Sequence, residues 1–234
     1  MKPNENSTES RELKELKPEY YFKDMKACPC PEAFEGIDYV WEALEKKKPY
    51  FEMKYNLNHG KLANSVKTEG KVRIGKNTTV DHFVKIEGPV IIGENCTIKK
   101  GAYIRPGAIV GNNCSVGHNS EVKNSIMFDN ATISEKSYVG DSILGKGAWV
   151  ATGVTTGNLK LNKRDVAVFV DGKVIDTKIK KLGCIIGDGA KIGNNIVLVP
   201  GTLIGPNAII YSRMPSFFEA GKAFEVEQEV KEKK

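Results

Sequence analysis

Aliphatic residues recur through the middle of the chain at intervals of six. Ile74, Val80, Ile86, Ile92, Ile98, Ile104, Val110, Val116 and Val122 stand in one unbroken frame. The frame continues at Met127, Ile133, Val139, Leu144 and Val150, with two steps shortened to five, and resumes at Ile186, Ile192, Leu198, Ile204 and Ile210. Small residues follow one place later (Gly75, Gly93, Gly111, Gly117) and four places later (Cys96, Ala108, Cys114, Ser120). Period six matches neither the 3.6 of a helix nor simple strand alternation. It suits a coil with three flat faces, each using one hexad and turning its aliphatic residue into a triangular interior. Successive turns would lie about 4.8 Å apart, the spacing of paired strands. The pattern predicts an all-β chain, a left-handed parallel β-helix of hexapeptide repeats.

Four regions follow from where the frame starts and stops. Residues 1–25 are polar and charge-rich and read as a disordered tail. Residues 26–65 form an N-terminal helical segment, with Asp38 as N-cap, an apolar stripe of Val40, Trp41 and Leu44, and Pro49 as the stop. Residues 66–213 are the β-helix, interrupted by an excursion over 156–185. Inside the excursion, Val166 to Val170, Asp171-Gly172 and Lys173 to Ile175 read as a hairpin with a type I′ turn. Residues 214–234 are expected to cap the open coil and end in a charged tail.

The repeat brings chosen side chains together, because residues one coil apart stack. Lys100, His118, Glu135 and Thr152 form one column. Tyr103, Glu121 and Tyr138 form a second, and Arg105 and Lys123 a third. Two stacked cations destabilise a sheet unless an anion lies between them, which points to a phosphate or carboxylate ligand; the alternative is two solvated side chains partly neutralised by Glu121. His118 over Glu135 is a candidate proton-transfer pair, or else two stacked polar neighbours.

Net charge is a modest +6 and the lysines are dispersed, so nucleic acid is not an indicated partner. No apolar run approaches the roughly 18 residues of a membrane span, and the charged start of the chain holds no signal-peptide core. Five cysteines lack a paired metal spacing and only three histidines occur, so no metal is expected. These features read as a reduced, cytoplasmic protein.

Residues from about 86 to 212 resemble the acetyltransferase half of the bifunctional UDP-N-acetylglucosamine pyrophosphorylase/glucosamine-1-phosphate acetyltransferase family. The resemblance is carried by Gly101-Ala-Tyr-Ile-Arg-Pro-Gly107, Glu121-Val-Lys-Asn-Ser125, Ser137-Tyr-Val-Gly-Asp141 and Lys181-Leu-Gly-Cys-Ile-Ile-Gly-Asp188. Phe34-Glu-Gly and Tyr39-Val-Trp-Glu-Ala-Leu44 are similar to the opening of short stand-alone relatives. No Gly-rich nucleotide loop precedes the coil, so the nucleotidyltransferase half is expected to be absent. The resemblance implies acetyl-CoA as acyl donor, a homotrimer, and an acceptor phosphate held by Arg105, Lys123, Tyr138 and Asn158, with Glu121 beside them. It also exposes departures. Glu135 stands where the family keeps its catalytic histidine, and Trp149 where it keeps a substrate-contacting asparagine. Ala151-Thr-Gly-Val154 replaces the Gly-Ala-Gly-Thr stretch. If catalysis survives, Glu135 and His118 are the candidates for proton transfer. The alternative is a catalytically silent trimer that binds a sugar phosphate or nucleotide sugar, or serves as a scaffold.

Overall fold

The structure is a computed structural model that describes residues 13–52 and 59–211. Three parallel sheets of eight, seven and seven strands make the three walls of a left-handed β-helix. Every aliphatic frame position lies in a strand, and the interior they fill is almost solvent-free: Ile74, Ile98, Ile104, Val122, Met127 and Val150 are all fully buried. The first wall strand, Lys61–Leu62, pairs with Thr79–Val80, so the coil begins one hexad before the expected start at 66.

Tight corners explain the recurrent polar residues outside the frame. Asn77, Asn95, Asn113, Asn130 and Asn207 stack at one corner in the left-handed backbone region, φ +56 to +63°, and Gly147 and Gly189 complete their column. Asparagine and glycine are the residues that tolerate this conformation most readily. The repeat therefore encodes core and corner together.

The two five-residue steps, Val122 to Met127 and Val139 to Leu144, fall at a single corner, and the excursion leaves from that same corner after Thr156. The frame is kept across the excursion: Leu144 pairs with Ile186, Val150 with Ile192 and Thr156 with Leu198. The hairpin forms as expected, Ala167–Val170 against Lys173–Asp176, with φ of +49° at Asp171 and +73° at Gly172.

One wall is buried on both sides. Ile109, Ile126, Ile143 and Ile185 each precede a frame residue and point outward, under a second apolar cluster built by the N-terminal segment and the excursion. Residues 13–25, expected as part of a disordered tail, are ordered here. Tyr21 and Phe22 are buried, and the Phe22 ring lies 4.6 Å from that of Phe128 on the coil. Backbone bonds tie this segment down, from Asp129 N–H to Ala27 O (2.9 Å) and from Asp188 N–H to Tyr21 O (3.0 Å). Three successive aromatics, Tyr20 to Phe22, supply the apolar area that a disordered tail lacks.

The expected helix is a run of short turns instead: 3-10 at Val40–Glu42, α at Ala43–Lys46, and 3-10 at Lys48–Phe51. Asp38 does not cap it; its own N–H donates to the Glu42 carboxylate at 3.0 Å. Residues 1–12 of the tail and the C-terminal cap expected over 214–234 lie outside the described residues.

Candidate functional site

The register places the predicted columns as the repeat requires. Glu121 pairs with Tyr103 on one side and with Tyr138 on the other, and Val122 with Ile104 and Val139. The side chains, however, find partners that stacking alone does not name.

The two cations at the corner are each matched to a carboxylate. Arg105 Nη1 donates to Glu121 Oε1 at 2.7 Å and Lys123 Nζ to Asp141 Oδ2 at 3.0 Å. Internal carboxylates therefore offset the stacked like charges, as the alternative with Glu121 had it in part, and the stacking by itself does not call for a bound anion. The Glu121 carboxylate raises the Arg105 pKa further, and Arg105 Nε is left buried without a partner. Tyr103 is bonded to Glu87 on the neighbouring coil.

Asp141 is the hub of this corner and was not singled out from the sequence. It accepts from Lys123, from Asn124 Nδ2 (2.7 Å) and from Asn158 Nδ2. Asn158 Nδ2 also reaches Tyr138 Oη at 3.0 Å. Burial, and then the Asp141 charge, push the Tyr138 phenol up. Lys123, Tyr138 and Asn158 are therefore gathered around one carboxylate, with Arg105 and Glu121 alongside. Asn158 arrives because the excursion starts here; its neck closes as Leu182 N–H donates to Asn158 O at 3.0 Å. The signal for Asp141 lay in the shortened steps, which place it 17 residues beyond Asn124 and one coil above it.

The other end of the wall carries the candidate proton-transfer groups. His118 Nδ1 lies 2.6 Å from the Lys100 carbonyl oxygen. A carbonyl can only accept, so Nδ1 carries the hydrogen, and in the neutral imidazole the lone pair is then on Nε2. Glu135 is not joined to His118 by a hydrogen bond. Its oxygens meet Lys99 Nζ (3.3 Å) and Thr152 Oγ1 (3.2 Å). Its own backbone N–H, and then the Lys99 ammonium, hold the carboxyl below the usual carboxylate range. This is the opposite of the upward shift that a carboxylate base needs near neutrality. Trp149 is half exposed, with its indole N–H on Ser134 Oγ at 3.1 Å.

Among the described residues no cluster of His, Cys, Asp and Glu is arranged to hold a metal ion, and no helix is long and apolar enough to cross a membrane. A cleft of about 500 Å³, lined by Lys14, Lys17, Glu19, Tyr20, Lys23 and Pro206, belongs to the N-terminal layer and shares none of the residues above.

The fold defines a hexapeptide-repeat left-handed β-helix. Comparison with known proteins narrows this. A family model described as the GMPPB C-terminal domain matches residues 86–179. The chain is 34% identical to the uncharacterized acetyltransferase YaiX of Escherichia coli, over 73% of this chain and 75% of that protein. It is 45% identical to the bifunctional protein GlmU of Methanococcus maripaludis over 74% of this chain, but over only 42% of that entire protein. Among solved structures, the UDP-N-acetylglucosamine acyltransferase LpxA of Bacteroides fragilis is 19% identical with a TM-score of 0.40, covering 67% of this chain and 58% of its own. The chain belongs to the family of YaiX and is similar to part of GlmU. It spans about two fifths of the length of the GlmU proteins it matches.

Proposed function

We propose that the chain is a CoA-dependent acetyltransferase whose acceptor is a hexosamine phosphate such as glucosamine 1-phosphate. Its relative YaiX is named as an acetyltransferase, and a relative in Sulfurisphaera tokodaii as a bifunctional sugar-1-phosphate nucleotidylyltransferase/acetyltransferase. The observation that carries the reading is the fixed tautomer of His118, a free Nε2 on the same wall as the phosphate-binding corner. His118 and Lys123 stand five residues apart along this wall, which keeps the two ends within about 17 Å of each other.

Arg105, Lys123, Tyr138 and Asn158 hold the phosphate at one corner. The acceptor amine at the other end attacks the thioester carbonyl carbon. His118 Nε2 takes the proton as the new N–C bond forms, and the C–S bond breaks to release the CoA thiolate. The imidazolium then returns the proton to the thiolate. Glu135 is occupied by Lys99 and Thr152 and does not carry the proton. Three copies of the chain enclose the site, a homotrimer being the proposed assembly. The Phe169 and Val174 pair on the hairpin supports it, since both are more than 70% exposed and face away from their own coil.

The assay is thiol release from acetyl-CoA in the presence of glucosamine 1-phosphate. His118→Ala is expected to lower turnover by about 10²- to 10⁴-fold, the usual worth of a general base. Glu135→Gln is expected to lower it by only about threefold, the effect of losing a water-exposed charge already paired with Lys99. Equal losses for both variants would refute His118 as the base. No thiol release by the wild type, with sugar phosphate still bound, would establish the silent-binder alternative. Glu135 in place of a histidine and the exposed Trp149 ring favour that second reading.

A further inference from the structure

The corner that gathers the phosphate-binding side chains is reached by one side chain from outside the coil. Lys47 belongs to the N-terminal layer, is 1% exposed, and sends its ammonium into the seam between layer and coil. Nζ donates to Leu44 O and to Asn124 Oδ1, each at 2.7 Å. Asn124 then donates through Nδ2 to Asp141 Oδ1 at 2.7 Å. The second oxygen of Asp141 takes Lys123 and Asn158.

We propose that Lys47 is a positioning residue for acceptor binding, acting through Asn124 and Asp141; the inference rests on the acetyl-transfer reading of this corner. Two physical arguments support it. The first is directional. A side-chain amide has an acceptor at one end and donors at the other. With Lys47 holding the Asn124 oxygen, the amide must present its N–H groups to Asp141. Without Lys47 the amide is free to turn, and in the turned state its oxygen opposes the carboxylate. Asp141 would then lose the bond that fixes it under Lys123 and Asn158. The second argument is charge. Arg105 and Lys123 are matched by Glu121 and Asp141, so their sum is zero; Lys47 leaves the cluster with one net positive charge. A buried lysine is an expensive way to staple two layers together, since burial penalises the charged form. An apolar side chain would staple them at lower cost, but it would neither orient the amide nor add the charge.

Calorimetry with N-acetylglucosamine 1-phosphate, which has no titrating amine, tests this on the full chain. Lys47→Met is expected to weaken binding about tenfold, the worth of a unit charge some 10 Å away in a partly buried setting. The KM for glucosamine 1-phosphate should rise in parallel while that for acetyl-CoA stays unchanged, a split that general loosening of the fold would not produce. Asn124→Gly suits the left-handed backbone at that position, φ +47°, and cuts the link. The double variant should lose clearly less than the sum of the two single losses, because the orienting route through the amide is shared while the charge of Lys47 acts on its own. Unchanged affinity in Lys47→Met, or strictly additive losses, would overturn the proposal. If Lys47→Met does not fold, the wild type alone decides. The groups facing Lys47 are Cys30 and Asp141, with Glu45 and Lys48 on its own segment. Affinity should fall about tenfold as pH rises through 8 and the ammonium discharges, and a flat profile would overturn the proposal. A wild type that binds no sugar phosphate at any pH overturns the acetyl-transfer reading and this inference together, a result distinct from a wild type that binds and a variant that binds equally.

Discussion

Burial of Lys47 makes the stability of the fold depend on pH, with a sign that few other groups in the chain share. Desolvation depresses its ammonium from 10.5 to about 8. Below pH 8 both folded and unfolded chains keep the proton, and the cost of burying the charge is present in full. Between pH 8 and 10.5 the folded chain has released the proton and the unfolded chain has not. The unfolded state then binds more protons, so stability rises with pH. Each pH unit in that window is worth about 1.4 kcal/mol, so about 3 kcal/mol is recovered by pH 10. Buried thiols oppose this. Burial pushes up Cys28, the bond with Cys96 and then burial push up Cys114, and burial raises Cys184 to about 12. Unfolded thiols ionise near pH 9 and these three do not, so their contribution falls as pH rises, whereas the bond with Cys114 lowers Cys96 and acts the other way. Tyr21, also raised by burial, acts with those three above pH 10. The wild-type curve therefore mixes both signs, and the difference from Lys47→Met isolates one. Urea unfolding of both proteins at fixed concentration between pH 7 and 10 reads it. The stability of the wild type relative to the variant is expected to rise by about 3 kcal/mol across that range. Parallel curves would show that Lys47 does not hold a charge in the interior at neutral pH.

Other outcomes follow from the same contacts. Arg105→Ala and Lys123→Ala should each weaken sugar phosphate binding about tenfold or more, with the larger loss at low salt, where charge attraction is least screened. Their carboxylate partners, Glu121 and Asp141, then face the anion unneutralised; equal affinity at low and high salt for both variants would remove this corner from consideration. Phe169→Glu places a charge on the exposed face of the hairpin and should shift sedimentation from trimer to monomer with little change in the monomer's helical content or unfolding. A stable monomer for the wild type at micromolar concentration would end the trimer proposal.

The legible part of the fold was the part in which local chemistry repeats. An aliphatic residue every six places fills the interior, and asparagine or glycine marks most tight corners, so period and register could be read from one coil and extended to the rest. The N-terminal layer was less legible, although its docking surface was written in the repeat. Ile109-Val110, Ile126-Met127, Ile143-Leu144 and Ile185-Ile186 are adjacent aliphatic pairs in which one member faces inward and the other outward. A wall apolar on both faces must be covered, and Tyr21, Phe22 and Trp41 cover it. What the pairs do not say is which segment supplies the cover, because that depends on a surface assembled from four coils. The site was legible in its columns and misread in its contacts. Stacking gives the distance between Cα positions, whereas long charged side chains lean along the wall to the nearest opposite charge. Arg105 therefore meets Glu121, and Lys123 meets Asp141.

A regular solenoid offers the same surface at every turn and has no place for a singular site; a site requires that the repeat be broken. In this chain three breaks occur, and all fall at one corner. The steps from Val122 to Met127 and from Val139 to Leu144 are one residue short, which draws Asn124 and Asp141 into register and leaves Ser125 and Ser142 buried beneath them, with Ser142 N–H on Ser125 Oγ at 3.1 Å. One coil further, the excursion leaves and delivers Asn158. From outside, the N-terminal layer delivers Lys47. Thr156 shows how closely the interior is fitted to this arrangement. It replaces an aliphatic frame residue at the point of departure, is fully buried, and accepts the Gly140 N–H at 2.9 Å. A valine at that position would fill the same volume but leave the Gly140 N–H unpaired in the interior, at a cost of about 1–3 kcal/mol. The polar residues of this corner are therefore bound to one another from the coil interior to the wall. The corner is a single unit, and the side chains that face an acceptor are its outermost members.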